Sequence, residues 1–387
     1  MSSIRKRTWK TKGVKQTAWV LDYKDTAGTR RLKTFPTRKE AEAWSVTALH
    51  EVQQGTHTAA SASITVSEGM ELWIADCEAN GLEYGTIKWR KEIKRLHVDP
   101  FIGADKLSAL TAPSVYEFDD KLRKGGRSLA MRRKVLTNLK TMLTFWQGKG
   151  KVAQNVAKAV RIKSDDQRDV APVRAGVDFP SREELRTVLD KATGRWRPLV
   201  IIAIFTGMRA SELRGLPWSN VDLDGAVIHV RQRADQWGRI GKPKSKSGNR
   251  DIPLAPMALN ALRAWREDCP KGALDLVFPN GVGNVENHQN ILARFWEPLQ
   301  RANGMTVDSG KRDGDHPTLE AKYGLHALRH AAASLFIAHL GWTPKRVQSV
   351  LGHSSIQMTF DLYGHLFEDK EGDREAMKKL EAAIVAA

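Results

Sequence analysis

Two histidines and an arginine lie close together in the stretch GLHALRHAAASLF, residues 324–336. His326 and His330 are four residues apart, a spacing that on a helix lets two imidazoles share one zinc ion. A zinc hydrolase of the H-E-x-x-H type needs glutamate at the next position, where this chain has Ala327, so the pattern disfavours a metal site. The informative pair is His326 and Arg329, which share one face of an apolar helix. His330 is interpreted as a core or supporting histidine.

A second arginine follows an apolar helix in the stretch TGMRASELRGL, residues 206–216. Arg209 lies at a position where folding would remove its guanidinium from water, and a buried guanidinium needs an anion as a partner. Glu212, three residues further on, is on the same helical face and could hold the guanidinium in place. Read alone, the segment fits an internal salt bridge as well as an anion-binding arginine.

Three lysines occupy the stretch GKPKSKSGNRDIPL, residues 241–254, which is rich in glycine, serine and proline and precedes a strand. Lys242, Lys244 and Lys246 are therefore carried on a turn, from which an ammonium group could reach a phosphate or a leaving oxygen. A lysine-rich hairpin that is simply exposed is the alternative interpretation.

The last polar group of this kind lies in VQSVLGHSSIQMTFDLYGHLF, residues 347–367. Gly352 and His353 end one helix before a serine-capped second helix, and Tyr363 follows ten residues after His353.

Length and charge indicate the class of protein that carries these residues. A chain of 387 residues predicts two or three domains, and 62 basic against 44 acidic residues give a net charge of +18, which points to nucleic acid as the partner. Cys77 and Cys269 are too far apart for a cysteine zinc site or a disulfide framework. The N-terminus has no apolar signal region, and the longest apolar run, LVIIAIF, is too short to span a membrane. We therefore expect a soluble protein in a reducing compartment, without membrane partners.

The N-terminal part predicts a hairpin and a helix. Residues 16–35 alternate apolar and polar positions on both sides of DTAGT, and Thr37 with Glu40 makes a capping box before a helix. The hairpin carries basic residues that could enter a DNA groove, although a solvated charged hairpin fits equally well. These DNA-binding candidates are Lys24, Arg30, Arg31 and Lys33.

The spacer THTAASAS precedes about a hundred residues of helical periodicity. Two of these helices carry basic residues that could lie along phosphates; a solvated helix face is the alternative. The candidates are Lys88, Arg90, Lys91, Lys94, Arg95, Arg132, Arg133 and Lys134. A polar, proline-interrupted segment then predicts a linker. It is followed by the capped helix SREELRTVLDKAT, a buried helix at 198–206, strands at AVIHV and RDIPL, and several helices to the end.

The motifs TGMRASELRGL, PKSKSGNRDIPL, HALRH and LGHSSIQMTFDLYGHL, in this order, resemble those of the tyrosine recombinases, and most closely the integrases of phages and integrative elements. The family motif more often reads H-x-L-R-H-T, whereas this chain has Ala331 after His330. The resemblance implies a multidomain, mainly α fold with small β elements. Its parts are a β-sheet-plus-helix domain for arm-type DNA sites (1–60), a helical core-site domain (61–165), a linker (166–176), and a mixed α/β, mostly α, catalytic domain (177–387) with a tail helix over 373–387.

The resemblance also implies a role for each motif residue. Tyr363 would attack a scissile phosphate to give a 3′-phosphotyrosine, and Arg209 and Arg329 would bind the non-bridging oxygens of that phosphate. His326 would position the phosphate and act in proton transfer, and Lys244 would protonate the leaving 5′-oxygen.

His353 would hydrogen-bond the phosphate, and Glu212 would orient the surrounding residues. No metal or cofactor is expected. The implied function is integration and excision of a mobile element at arm-type and core-type sites on double-stranded DNA. The implied assembly is a homotetramer in the synapse, with accessory DNA-bending proteins, in the cytoplasm of a bacterial host at the nucleoid. A type IB topoisomerase-like enzyme and a non-catalytic DNA-binding regulator are the alternatives.

Overall fold

The structure is a computed structural model of the chain, and it describes residues 2–11, 14–55, 57–59, 61–162, 173–314 and 316–367. The chain divides into two compact units, residues 1–167 and 168–387. Within the described ranges, no helix is long and apolar enough to cross a membrane. The predicted tail helix lies outside these ranges, as does most of the predicted linker.

The first unit begins with a three-stranded antiparallel sheet and a helix: β1 (Ser3–Thr11), β2 (Val14–Lys24), β3 (Arg30–Phe35) and α1 (Arg38–Gln53). The predicted hairpin is confirmed as β2 and β3, and its turn is held by Asp25, whose Oδ1 accepts hydrogen bonds from the backbone N–H groups of Ala27 and Thr29. Thr37 caps α1 by accepting from the N–H of Glu40. β1 was not predicted.

Helices form the rest of the first unit: α2 (Val66–Ala79), α3 (Tyr84–Ile93), α4 (Asp99–Ile102), α5 (Ala112–Lys124) and α6 (Leu129–Gly148), with a π-helical turn at Lys94–Val98 between α3 and α4. Their apolar faces share one buried cluster, separate from the cluster between the sheet and α1. Two residues of the spacer before α2 make hydrogen bonds to the rest of the unit. His57 is buried with its Nε2 3.0 Å from Tyr23 Oη, and Thr58 donates to the backbone oxygen of Lys151 at 2.9 Å.

The second unit contains α7 (Arg182–Lys191), α8 (Trp196–Thr206), α9 (Ala210–Arg214), β4 (Val221–Asp222), β5 (Val227–Val230), β6 (Arg233–Ala234), β7 (Ile240–Gly241), β8 (Arg250–Pro253), α10 (Pro256–Asp268), α11 (His288–Ile291), α12 (Glu297–Ala302), β9 (Thr306–Asp313), β10 (His316–Ala321), α13 (Ala327–Leu340), α14 (Pro344–Leu351) and α15 (Ile356–Tyr363). A π-helical turn, Leu292–Trp296, joins α11 to α12.

The core of this unit surrounds α8, which is apolar on all sides and buried along most of its length. The two predicted strands are confirmed as the antiparallel neighbours β5 and β8, in which Ile228 pairs with Ile252. The prediction that only helices follow β8 is wrong, because β9 and β10 form a hairpin. That hairpin is largely exposed on both faces, so it lacks the alternation of apolar and polar residues that predicts a strand.

Candidate active site

The first part of the site is built where α8 ends. Gly207 terminates α8 in the left-handed conformation, with φ +62°, and a Cβ atom there would lie 2.6 Å from Leu351 Cδ2. Only glycine fits this turn without strain. The turn places Arg209 at the start of α9, where its Nη1 donates to Glu212 Oε1 at 2.8 Å and its backbone N–H donates to Oε2 at 2.9 Å. The spacing of the two residues in the sequence predicted this pair.

A third residue, Arg250 on β8, completes the ion pair and was missed by the sequence reasoning. Its Nη2 and Nη1 donate to the Glu212 carboxylate at 2.7 and 3.1 Å, and its Nε donates to the backbone oxygen of Val350 at 2.6 Å. The available signal was its position in the strand, because Arg250 shares the buried face of β8 with Ile252. An arginine on an inward-facing strand position needs a buried partner.

The two arginines predicted to bind phosphate are anchored on the C-terminal ends of helices. Arg329 is buried and donates to the backbone oxygens of Gly207 and Leu351, both at 2.7 Å, and Arg209 Nη2 donates to the backbone oxygen of Gly352 at 2.8 Å. These carbonyl groups belong to the last turns and caps of α8 and α14, where the helix dipole is negative. The helix ends therefore fix both guanidinium groups without neutralising them.

The cluster carries more positive than negative charge. Burial by itself would raise the pKa of the Glu212 carboxyl, but the hydrogen bonds and charge of Arg250, together with Arg209, lower that pKa to about 2. Glu212 is therefore ionised, and it is a single carboxylate facing three guanidinium groups, Arg209, Arg250 and, through its charge, Arg329. The side chain of Arg209 remains 31% exposed. The arrangement suits an incoming anion.

Tyr363, at the end of α15, lies beside this cluster. The residue is only 1% exposed, and its hydroxyl is 2.6 Å from Nδ1 of His330. Burial raises the pKa of the phenol, and the positive charge of Arg329 only partly offsets that effect. Tyr363 is thus protonated and held by a histidine for which the sequence reasoning gave no specific role.

The other two histidines differ in exposure. His353 is buried, its Nδ1 is 2.9 Å from Thr359 Oγ1, and burial followed by the charges of Arg329 and Arg209 lowers its pKa to about 3. His326 is exposed at the start of α13 and stands edge-on to the ring of His330, with 5.1 Å between ring centroids. Burial of part of the His326 ring, followed by the charges of His330, Arg329 and Arg209, lowers the pKa of His326 to about 4, so both imidazoles are neutral at pH 7.

The structure places Lys244 near the site and not in contact with it. Lys244 is exposed in the loop between β7 and β8, and it makes no hydrogen bond or ion pair with any residue that the structure describes. The same loop reaches the turn before His353, because the backbone oxygen of Ser247 would lie 2.8 Å from a Cβ atom on Gly352. Lys242 and Lys246 are exposed on this loop as well.

Among the described residues, no group of three or more His, Cys, Asp or Glu side chains could hold a metal ion. The charge at the site comes from guanidinium groups.

Comparison with known proteins identifies this arrangement. Residues 181–370, which include every residue of the cluster, match the phage integrase family. The chain carries a tyrosine recombinase domain of that family. The tyrosine recombinase XerC-like protein of Caldanaerobacter subterraneus subsp. tengcongensis is 23% identical over 356 residues, which are 85% of this chain and 86% of that protein. The ICEBs1 integrase of Bacillus subtilis strain 168 is 23% identical over 362 residues, 91% of this chain and 92% of that protein.

Solved structures of integrases share the fold of this recombinase. The Tn1549 transposon integrase in complex with a circular intermediate DNA matches with a TM-score of 0.64 at 19% identity, over 82% of this chain and 100% of that one. A lambda integrase dimer bound to a COC′ core site matches with a TM-score of 0.53 at 17% identity, over 91% and 93% of the two chains. The multidomain, mainly α architecture expected from the sequence is therefore confirmed.

The N-terminal sheet of the recombinase divides the predicted DNA-binding residues between two faces. Lys24 and Arg30 are register partners on the face opposite α1, whereas Arg31 and Lys33 lie on the α1 side. There Lys33 Nζ is 4.2 Å from the centre of a Trp44 ring, and burial lowers its pKa. Only half of the predicted set therefore lies on the face that is free of the helix.

The sequence reasoning missed two residues on that free face. Arg5 and Arg7 of β1 are exposed, and their register partners on β2 are Val20 and Ala18. Because side chains alternate along a strand, Arg5 and Arg7 point to the same side as Lys24. A basic surface therefore spans all three strands.

The basic residues of α3 and α6 also divide into buried and exposed groups. Arg132 is 9% exposed and pairs with Asp119 at 2.8 Å through its Nε, and Arg90 lies 4.0 Å above the Trp73 ring. Lys94 is half-buried beside Asp99 at 2.9 Å. Acidic or aromatic neighbours contact these three side chains, and the phosphate-facing role of the three stays a prediction. The exposed remainder are Lys88, Lys91, Arg95, Arg133 and Lys134.

Proposed function

We propose that this chain is an integrase that cuts and rejoins DNA at specific sites through a 3′-phosphotyrosine, and thereby integrates and excises a mobile element. One observation carries the proposal: a tyrosine hydroxyl is buried beside a cluster of arginines in which helix ends fix Arg209 and Arg329, and a single carboxylate is shared by Arg209 and Arg250. Such a cluster lacks an anion, and the phosphate of DNA supplies one.

In the proposed reaction Tyr363 attacks the scissile phosphate, and the bond to the 5′-oxygen breaks. Arg209 and Arg329 bind the non-bridging oxygens, where planar and permanently charged groups suit the transition state better than lysine would. The phosphotyrosine conserves the energy of the broken bond, so rejoining needs no ATP.

Four other residues support this step in the proposal. Lys244 protonates the leaving oxygen once DNA draws the β7–β8 loop inward, His353 donates to the phosphate, and Glu212 holds Arg209 and Arg250 in place. His326 binds the phosphate from the exposed start of α13. The buried environment of His353 and its contact with Thr359 keep its ring in one orientation.

DNA is the proposed partner of both units. Because the free face of the sheet is basic, we assign residues 1–60 to arm-type sites, and we assign residues 61–165 to core-type sites. A structurally similar protein, the lambda integrase, is a tetramer on a Holliday junction, and we extend a tetrameric synapse, with accessory DNA-bending proteins, to this chain. We place its action at the nucleoid in the bacterial cytoplasm. A topoisomerase-like enzyme is less well supported, because the chain carries an N-terminal sheet-and-helix part ahead of its helical region.

The first experiment uses DNA from the flanks of the encoding locus and detects covalent protein–DNA adducts on a denaturing gel. Tyr363→Phe should bind DNA and form no adduct, because only the phenolic oxygen is lost. Tyr116→Phe, at an exposed tyrosine of the first unit, is the matched control and should form adducts normally. An adduct that persists in Tyr363→Phe would overturn the assignment of the nucleophile.

A second experiment tests the N-terminal surface by mobility shift over a range of salt concentrations. Arg7→Ala should weaken arm-site binding and reduce the salt slope by about 1, as expected for one lost phosphate contact. Arg38→Ala removes the same charge from the α1 side of the sheet, where Arg38 pairs with Glu42, and should leave arm-site binding unchanged. Equal effects of the two variants would refute the assignment of this face.

A further inference from the structure

The hydroxyl of Tyr363 has one hydrogen-bond partner among the described residues, and that partner is His330. The distance from Nδ1 to Oη is 2.6 Å, and the two rings are inclined by 50°. His330 lies on α13 directly after Arg329, so the helix that holds the phosphate-binding guanidinium also holds this imidazole. The roles assigned above leave His330 without a function.

The proposed reaction needs a base to accept the phenolic proton of Tyr363, and His330 is placed to supply it. A phenol is a poor nucleophile until it loses its proton, and the burial of Tyr363 raises its pKa further. His326, the residue expected to act in proton transfer, is exposed, and no hydrogen bond joins it to Tyr363 within the described part of the chain. Among the side chains described, only His330 already touches the oxygen that must be deprotonated.

The surroundings of His330 keep its ring neutral at ordinary pH. Burial, followed by the charge of Arg329, lowers its pKa, and only Asp178, from the segment before α7, acts in the other direction. His326 and His353 also face it, and both of their pKa values are lowered. A neutral imidazole has a free electron pair on one ring nitrogen and can accept a proton there.

We propose that His330 is the general base of the reaction: its Nδ1 accepts the phenolic proton of Tyr363 as the phosphotyrosine bond forms. This inference rests on the proposed function. The proton moves while the bond between Oη and phosphorus forms and the bond between phosphorus and the 5′-oxygen breaks, since the phenolic oxygen becomes acidic only as it bonds to phosphorus. Lys244 gives its own proton to the 5′-oxygen, so no charge or proton is left unassigned. In rejoining, His330 returns the proton to Tyr363.

The test measures the rate of adduct formation on core-site DNA with the full-length protein. In His330→Asn the side-chain oxygen can still accept the hydrogen bond, but it is not basic. We expect adduct formation to slow by about 10²-fold or more, the usual size of general-base catalysis, with core-site affinity unchanged. His339→Asn, at an exposed histidine on the same helix, is the control and should match the wild type.

A modified substrate separates this role from that of Lys244. When sulfur replaces the bridging 5′-oxygen, the leaving group needs no proton. The sulfur substrate should restore the rate of adduct formation by Lys244→Ala and leave adduct formation by His330→Asn slow. In addition, the rate of His330→Asn should rise by about tenfold per pH unit above neutrality, because hydroxide takes over as the base, while the wild-type rate stays flat.

Fluorinated tyrosine at position 363 provides a further measurement, because it compares two phenols of different acidity within the same His330→Asn protein. A more acidic phenol needs less help from a base, so fluorination should reduce the pH dependence of adduct formation by His330→Asn. In the wild type, fluorination should change the rate of adduct formation much less.

Three results would overturn the inference: adduct formation by His330→Asn at the wild-type rate, rescue of that variant by the sulfur substrate, or faster adduct formation, which would make His330 only a restraint on Tyr363. If the wild type forms no Tyr363-dependent adduct, the proposed function itself fails, and that outcome is distinct from all three.

Discussion

Replacing Glu212 by glutamine should strongly destabilise the second unit. The Glu212 side chain is 2% exposed and accepts hydrogen bonds from Arg209 and Arg250. Glutamine resembles the protonated carboxyl, so the loss should match the energy by which the fold favours ionisation. The pKa falls from 4.5 to about 2 in the folded protein, and at about 1.36 kcal/mol per pKa unit this difference is about 3 kcal/mol at pH 7. Breaking a buried ion pair on one side costs a similar amount, about 3–5 kcal/mol.

The assay should report on the second unit separately, because a chain of two units need not unfold in one step. Hydrogen exchange measured by mass spectrometry on peptides from α8 gives the local free energy of opening in the full-length protein. Glu297→Gln is the control. Glu297 forms an exposed pair with Arg301 at 3.5 Å, and such pairs contribute about 0–1 kcal/mol.

The pH dependence has a definite sign. A carboxyl whose pKa is lowered by folding stabilises the protein above its unfolded value, and that contribution is lost as pH falls from about 4.5 towards 2. The difference in the free energy of opening between the wild type and Glu212→Gln should therefore shrink as pH falls over this interval. If Glu212→Gln were no more destabilising at pH 7 than Glu297→Gln, the carboxylate would not be what holds the arginines, and the reasoning would be refuted.

Three further predictions concern the same unit. In a urea titration, Gly207→Ala should destabilise it by about 1–3 kcal/mol, because the backbone there is left-handed, and it should impair adduct formation, because the Gly207 oxygen holds Arg329. Gly241→Ala, whose added Cβ would meet nothing within 4 Å, should have little effect in that titration. Between pH 6.5 and 4, His353 should lower the free energy of unfolding of the wild type by on the order of 3 kcal/mol. The reason is that the pKa of His353 is about 3 in the folded protein against 6.5 for a free histidine, so the fold requires the neutral ring. His353→Asn should be less acid-sensitive, and equal acid sensitivity of the two proteins would contradict the prediction. Adduct formation should continue in EDTA, because guanidinium groups supply the charge at the phosphate; a loss that a divalent ion reverses would refute this.

Local physics explains what could be predicted from the sequence. The turn between β2 and β3 and the caps at Thr37 and Ser181 depend on residues within a few positions of one another, so they are visible in the sequence and present in the structure. The pairing of Arg209 with Glu212 is local in the same way. The chemical motifs were recognisable because phosphate binding and nucleophilic attack restrict the residue types at a few spaced positions. β1 was not predicted because only Ile4 and Trp9 are large apolar residues in SIRKRTWKT, and the strand exists through its pairing with β2.

Contacts between distant segments decided the rest. Arg209 donates to the oxygen of a residue 143 positions away, and Arg250 reaches Val350 across 100 positions. The sequence could not show that Arg132 is buried against Asp119, or that the hairpin residues Lys24 and Lys33 lie on opposite faces of the sheet. The motifs and their order along the chain provided the resemblance from which we propose that arginines of this chain bind phosphate and that a tyrosine attacks it. Which groups fix those arginines, and which imidazole touches the phenol, depended on packing, because burial and hydrogen-bond geometry arise only when α8, β8, α13, α14 and α15 come together.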